Sequence, residues 1–134
     1  MKPSKKIEKY LLSFIILFIA HSIEEYLAGF YNVHPYFKLL VQNIGTPSLE
    51  IKGIIFILAM LALLIILFLR FKKGNGKIGV PVFFCALGLY ELEHIIRALL
   101  IKAYYPGAIA AFPLFILGIL IFRDLIMLRK KKET

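Results

Sequence analysis

Four long apolar stretches, separated by short polar segments, dominate the pattern of the chain. They cover about residues 10–30, 51–71, 79–103 and 108–128. Each has about 20 residues or more, and a helix of that length rises about 30 Å, the thickness of the hydrocarbon core of a bilayer. The pattern predicts an all-α fold, an integral membrane four-helix bundle formed by residues 1–134 as a single domain.

Local signals at the ends of these stretches support helices. Thr46 to Glu50 has the form of an N-cap, a proline and a first-turn acid before the second stretch. Pro81 lies in the first turn of the third stretch, and Pro113 predicts a kink near the start of the fourth. The segment between the first two stretches is rich in apolar side chains: Tyr36, Phe37, Leu39, Leu40, Val41 and Ile44. We therefore expect it to lie at the membrane interface as a short segment that could act as a lid.

Composition and charge agree with a membrane protein. Hydrophobic residues make up 60% of the chain and the mean hydropathy is +0.83, which exceeds the composition of soluble domains. The formal net charge of +9 does not indicate nucleic acid, because most cations stand in short runs beside the apolar stretches. The basic N-terminal tail, the 70–77 loop and the basic C-terminal end share one side of a four-span model. The positive-inside rule therefore predicts that both termini are cytoplasmic.

Two groups of ionisable residues interrupt the apolar stretches. His21, Glu24 and Glu25 stand in the first stretch, and Glu91 and His94 stand in the third. Offsets of three and four residues place the members of each group on one helix face. Counting the rise along two helices that run in the same direction places both groups at the same depth. Since a buried charge in a bilayer needs a partner, we expect one shared His/Glu site between these two helices.

A divalent metal ion is one way to compensate the charge of such a site. Protonated carboxyls or cationic histidines are the others. Glu91-x-x-His94 is the local motif of carboxylate-bridged dimetal bundles, although the second and fourth stretches offer no acid at this depth. The predicted ligands for zinc, iron or manganese are His21, Glu24, Glu25, Glu91 and His94. Three neighbouring residues are predicted to support these ligands: Tyr90, Glu93 and Arg97. Glu93 and Arg97 are four residues apart and are expected to form an ion pair.

The first ionisable group also carries a family resemblance. The chain resembles the HXXEE family of small bacterial membrane proteins, named for the pattern that stands here as His21-Ser22-Ile23-Glu24-Glu25. His94, followed by the turn Tyr104-Tyr105-Pro106-Gly107, is similar to that family as well. The resemblance implies a multi-pass protein of the bacterial cell membrane. It implies no chemistry, since the family has no established activity.

The leading functional hypothesis is a metal-binding membrane protein that acts on a lipophilic small molecule from the bilayer, with Glu24, Glu25, Glu91 and His94 as catalytic residues. One alternative is a metal-free acid/base site for a sterol-like or isoprenoid substrate. A proton or cation pathway is another, although almost no polar residue continues the site into the cytoplasmic half. A structural polar network, a helper subunit and a homo-oligomer that completes the site also stay open.

One histidine is assigned no part in the predicted site. His34 stands in a polar turn beside a proline, and loops of this kind run over protein surfaces. We therefore expect an exposed turn residue at this position, one that only a closed lid would bring over the site.

Overall fold

Every element in the described part of the chain is a helix. The structure, a computed structural model, describes residues 4–133 and the side chains of residues 4–128. Lys2 therefore lies outside the described residues, as do the basic side chains of Arg129, Lys130, Lys131 and Lys132. The helices are α1 (Lys5–Leu27), α2 (Phe30–Val33), α3 (Pro35–Val41), α4 (Leu49–Lys72), α5 (Gly79–Tyr90), α6 (Leu92–Ile101) and α7 (Ala108–Glu133).

Within the described residues, three helices are long and apolar enough to cross a membrane: α1, α4 and α7 as far as Leu128. The stretch 79–103, predicted as one helix, is instead divided into α5 and α6 at Glu91. There the carbonyl oxygen of Glu91 accepts from the backbone N–H of His94 at 3.1 Å. The partner is three residues away, so the helix tightens by a 3₁₀ turn at this point. The structure thus corrects the prediction of one continuous helix, and α6 ends at Ile101.

Hydroxyl caps and a glycine decide where the long helices begin and end. Ser4 accepts from the backbone N–H of Ile7 at 3.5 Å and starts α1. The corresponding cap of α4 is Ser48, not the predicted Thr46, because the Ser48 hydroxyl accepts from the backbone N–H of the third residue after it. After α1, Gly29 takes a left-handed conformation with φ of 68°. The chain turns there, slightly before the predicted end of the first stretch.

The predicted short segment between the first two stretches contains α3. Its N-cap is His34, whose Nδ1 accepts from the backbone N–H of Phe37 at 3.3 Å. Phe37 and Val41 are buried in a small cluster with Phe30 of α2. At the other end, Lys52 of α4 donates to the carbonyl oxygen of Val41 at 3.5 Å. These contacts fix α3 across the ends of the long helices.

Close helix contacts organise the main core. A Cβ atom on Gly88 of α5 would lie 2.8 Å from the Cα of Gly118 in α7, so the two backbones touch. The sequence placed a small-residue contact at Gly107 and Ala111 instead. Ala111 is indeed buried. The main core includes these buried residues: Ile7, Leu11, Phe14, Leu64, Phe71, Phe84, Leu114 and Ile121.

Ion pairs join the start of α1 to the ends of two other helices. Lys6 lies 2.8 Å from Asp124 of α7, and Glu8 lies 3.9 Å from Lys72 of α4. The start of α1 and the ends of α4 and α7 are therefore at one end of the molecule. The ionisable residues of the predicted site lie toward the other end, which α2 and α3 cover.

Candidate metal centre

Four of the five predicted ligands meet in one buried cluster. The Nε2 atom of His21 lies 3.5 Å from a carboxylate oxygen of Glu25 and 3.3 Å from one of Glu91. The Nε2 atom of His94 lies 3.6 Å and 3.9 Å from the same two oxygens. His21, Glu91 and His94 are buried, and the Glu25 side chain is 12% exposed. All four side chains come from the same chain.

The turn before α7 fixes the orientation of both imidazole rings. Nδ1 of His21 lies 3.2 Å from the carbonyl oxygen of Gly107, and Nδ1 of His94 lies 2.9 Å from that of Pro106. A carbonyl oxygen only accepts, so each Nδ1 carries a hydrogen and donates it. Both Nε2 atoms then face the carboxylates. Backbone carbonyls hold histidine ligands in this way in many metal sites.

Gly107 allows this close approach of turn and helix. Its φ of 84° lies in the left-handed region, which disfavours side chains. A Cβ atom here would lie 2.6 Å from Cε1 of His21 and 2.9 Å from Cγ of Glu25. A glycine at this position is therefore needed for the backbone conformation and for the space beside the cluster.

One buried acceptor in the cluster is left without a hydrogen bond. Oε2 of Glu91 has no partner among the described residues, although the residue is only 4% exposed. Buried polar atoms are almost always satisfied, and a bare carboxylate oxygen in an apolar interior costs several kcal/mol. The position of this oxygen between two Nε2 atoms therefore requires a proton or a cation.

Glu24, predicted as a ligand, binds the start of α7 instead. Its carboxylate accepts from the backbone N–H groups of Ala110 at 2.8 Å and Ile109 at 3.2 Å, and from the hydroxyl of Tyr104 at 2.7 Å. Partial burial, together with this hydrogen bond, raises the pKa of Tyr104 to about 12, so its hydroxyl keeps its hydrogen. A carboxylate at a helix N-terminus satisfies unpaired N–H groups and the helix dipole. Both oxygens of Glu24 are used there, away from the cluster.

His34 is the residue that the sequence analysis missed. It is 7% exposed, its ring centroid is 5.6 Å from that of His94, and its Nε2 lies 3.5 Å from Oε2 of Glu93. The expectation of an exposed turn residue was wrong because α2 and α3 fold back over the cluster. The only local signal was the His-Pro pair at the start of an apolar segment, which is typical of a helix N-terminus.

The three predicted supporting residues lie beside the cluster. Glu93 and Arg97 form the expected ion pair. The Arg97 guanidinium also lies over the rings of Tyr36 and Tyr105, at 5.6 Å and 5.8 Å from their centroids. Tyr90 is exposed and stands at the rim of the cavity described next.

The cluster forms the polar floor of a cavity of about 170 Å³. His34 adds a further polar group to its lining. The walls come from α1 to α5 and are aromatic and aliphatic, with Phe18, Phe30, Phe37, Phe56, Met60 and Leu87 among them. The arrangement is a small apolar space with its polar atoms gathered on one side, the usual form of a ligand or substrate site.

The fold and the cluster of the described residues define a class of protein: all-helical over residues 4–133, with three helices able to cross a bilayer and a buried His/Glu group. The family model described as "protein of unknown function with HXXEE motif" matches residues 12–122. The chain therefore belongs to the HXXEE family, and its motif is His21-Ser22-Ile23-Glu24-Glu25. No curated protein and no solved structure matches the chain.

Proposed function

We propose that His21, Glu25, Glu91 and His94 bind one divalent metal ion inside the membrane. Two carboxylates and two neutral imidazoles carry a charge of −2, which a divalent ion cancels. A neutral group is far less costly in an apolar interior than a charged one. The unpartnered oxygen of Glu91, which lies between both Nε2 atoms, is the observation that carries this proposal.

The distances within the cluster support a metal ion over direct ion pairs. Nitrogen to oxygen separations of 3.3, 3.5, 3.6 and 3.9 Å exceed the roughly 2.7–2.9 Å of a charge-assisted hydrogen bond. Ligand atoms about 2.0 Å from a tetrahedral zinc ion are about 3.3 Å apart. Ligand atoms of His21, Glu25 and His94 already lie within 4.8 Å of one another. Small inward movements would complete the coordination.

The ligand types restrict the choice of ion and of chemistry. Imidazole and carboxylate together suit zinc, iron or manganese. Four protein ligands would fill a tetrahedral zinc site, whereas iron or manganese, which accept more than four ligands, would keep positions for a bound molecule. Because the cavity walls are apolar, that molecule is lipophilic. We also propose that Glu25 and Glu91 exchange a proton with this molecule, as acid or base.

A four-span topology fits this site. Together α5 and α6 cover residues 79–101, which rise about 34 Å when measured as one helix and therefore suffice to cross a bilayer. With α1, α4 and α7 they would form a four-helix bundle of the bacterial cell membrane. The basic segments then lie at the end formed by the start of α1 and the ends of α4 and α7. We propose that this end, with both termini, faces the cytoplasm.

Elemental analysis of the protein purified in nanodiscs tests the metal proposal. The wild type, loaded in turn with zinc, iron(II) and manganese(II) and then desalted, should retain about one ion per chain for one of these metals. The His21→Ala/His94→Ala variant, treated in the same way, should retain less than a tenth of that amount. A wild type that retains none of the three ions overturns the proposal and leaves a proton-compensated cluster.

Two adjacent glutamates provide a matched control. Glu25→Gln removes a ligand charge and should lower metal affinity by at least the roughly 10-fold to 100-fold that is typical when only a partner of a metal ligand is lost. Glu24→Gln changes the same residue type one position away, on the carboxylate that caps α7. It should lower the melting temperature and reduce metal retention much less than Glu25→Gln does, because the glutamine amide oxygen still accepts from the start of α7. Equal metal loss in both variants would contradict the assignment of the ligands.

A further inference from the structure

The cavity above the cluster is lined by residues of α3 and α5, and the Cα atoms of these two helices stay more than 8 Å apart in the described part of the chain. This separation leaves room for an opening between them. The opening is flanked by Tyr36 of α3 and Tyr90 of α5, whose side chains are 56% and 47% exposed. The cavity is therefore reached from the side of the molecule.

The same two tyrosines border a second, larger space outside the opening. This groove has a volume of about 560 Å³ and lies along α5 and α6. Its other borders include Leu89, Leu92, Ile96 and Leu100, which are all exposed. In a four-span arrangement these side chains face lipid. The groove and the cavity thus share Tyr36 and Tyr90 as lining residues.

The sizes of the two spaces restrict what can use them. Sites for whole small molecules usually measure about 300–1,000 Å³, so the cavity of about 170 Å³ holds only a segment of a ligand. The remainder of a larger ligand would lie in the groove. Most residues that line the two spaces are apolar, which matches a long hydrocarbon chain, while Glu93 and Arg97 add an ion pair to the groove.

We propose that the ligand of this site is a bilayer lipid whose hydrocarbon chain enters laterally between Tyr36 and Tyr90. A segment of the chain occupies the cavity beside the His/Glu cluster, and the rest lies along α5 and α6. Arg97 holds the ring of Tyr36 by a cation–π contact and is itself held by Glu93. The inference rests on the proposed function for its chemistry but not for the binding of the lipid.

Photo-crosslinking in nanodiscs tests the route. Two probes are used in separate arms: a phosphatidylglycerol with a diazirine near the end of one acyl chain, and a farnesol-type alcohol with a diazirine on its isoprenoid chain. Peptide mapping should find adducts at Phe18 or Met60, which line the cavity. The arm that yields them identifies the chain type. If neither probe labels a cavity residue while exposed residues are labelled, the proposal is overturned.

Variants of α5 provide the control. Leu87→Trp fills the cavity and should reduce adducts at Phe18 and Met60 at least 5-fold, whereas Val82→Trp, on an exposed position of the same helix, should not. Tyr90→Ala widens the opening at an exposed position and should increase these adducts at least 2-fold. Unchanged labelling in both Leu87→Trp and Tyr90→Ala contradicts lateral entry.

Metal content measured on the same samples separates the two proposals. Cavity adducts without metal would keep the lipid inference and overturn the metal site. Metal without cavity adducts would do the reverse.

Discussion

Glu24 and Glu25 are adjacent in the chain but meet different environments. Successive residues on a helix point about 100° apart, so only one of them can face His21 and His94 directly. Glu25 faces the cluster, and Glu24 binds the first N–H groups of α7. The second glutamate of the HXXEE motif is therefore the candidate ligand. The first connects α1 to the turn that positions both histidines.

Gly107→Ala tests the role of this turn at the level of one atom. The added methyl group would lie 2.6 Å from the His21 ring at a φ of 84°, which adds a backbone cost of about 1–3 kcal/mol. We expect a lower melting temperature and metal loss comparable to that of the histidine variants. Gly45→Ala is the control, because a Cβ atom there meets nothing within 4 Å. Normal metal content in Gly107→Ala would show that the turn does not position the rings.

Among the individual helices, the division between α5 and α6 affects the site most. Glu91, whose carboxylate belongs to the cluster, stands at the 3₁₀ turn that interrupts the regular helix. The helices on both sides of this turn, α5 and α6, contact α7. Below it, α5 contacts α7 through Gly88 and Gly118 at backbone distance. We therefore expect the position of Glu91 to depend on the contact of Gly88, three residues before it in the chain, with Gly118.

Gly88→Ala tests the contact between α5 and α7. Its Cβ atom would lie 2.8 Å from the Gly118 Cα and from the Leu114 carbonyl oxygen, which are backbone atoms that cannot rotate away. Overpacking of this kind costs about 1–3 kcal/mol. The thermal midpoint in detergent should fall, while Gly79→Ala, with open space around its Cβ, should leave it nearly unchanged. Equal midpoints for both variants would rule out a tight contact between α5 and α7.

At the scale of the whole molecule, charge and chemistry are separated along the helices. The pairs Lys6–Asp124 and Glu8–Lys72 gather three helix ends at the basic end. The His/Glu cluster, its turn and α3 lie toward the other end. This polarity relates the orientation in the membrane to the side on which the site lies: if the basic end faces the cytoplasm, as proposed, the cluster lies in the outer half of the membrane.

Two exposed asparagines test the orientation as a matched pair. Asn43→Cys lies between α3 and α4, and Asn75→Cys lies between α4 and α5. In a Cys85→Ala background, a membrane-impermeant maleimide added to intact cells should label position 43 and not position 75. The reverse labelling would invert the topology without affecting the fold, and labelling of both in permeabilised cells shows that both variants are present.

Much of the architecture could be predicted from the sequence because it depends on local properties of the chain: the length of apolar runs and the spacing of residues along a helix. Apolar runs of about 20 residues predict the helices α1, α4 and α7 wherever the environment is apolar. Helical spacing brought His21 together with Glu25, and Glu91 together with His94, and equal depth predicted that the pairs meet. The Glu93–Arg97 pair is likewise fixed by its separation of four residues.

The tertiary structure decided what spacing leaves undetermined. Nothing local tells Glu24 from Glu25 as a ligand, since the choice depends on where α7 begins beside α1. His34 is buried only because α2 and α3 fold over the cavity. The turn at Pro106 and Gly107 reaches both rings across 86 and 12 residues of sequence. Periodicity therefore determined which residues share a face, and packing between distant segments determined which atoms of those residues meet.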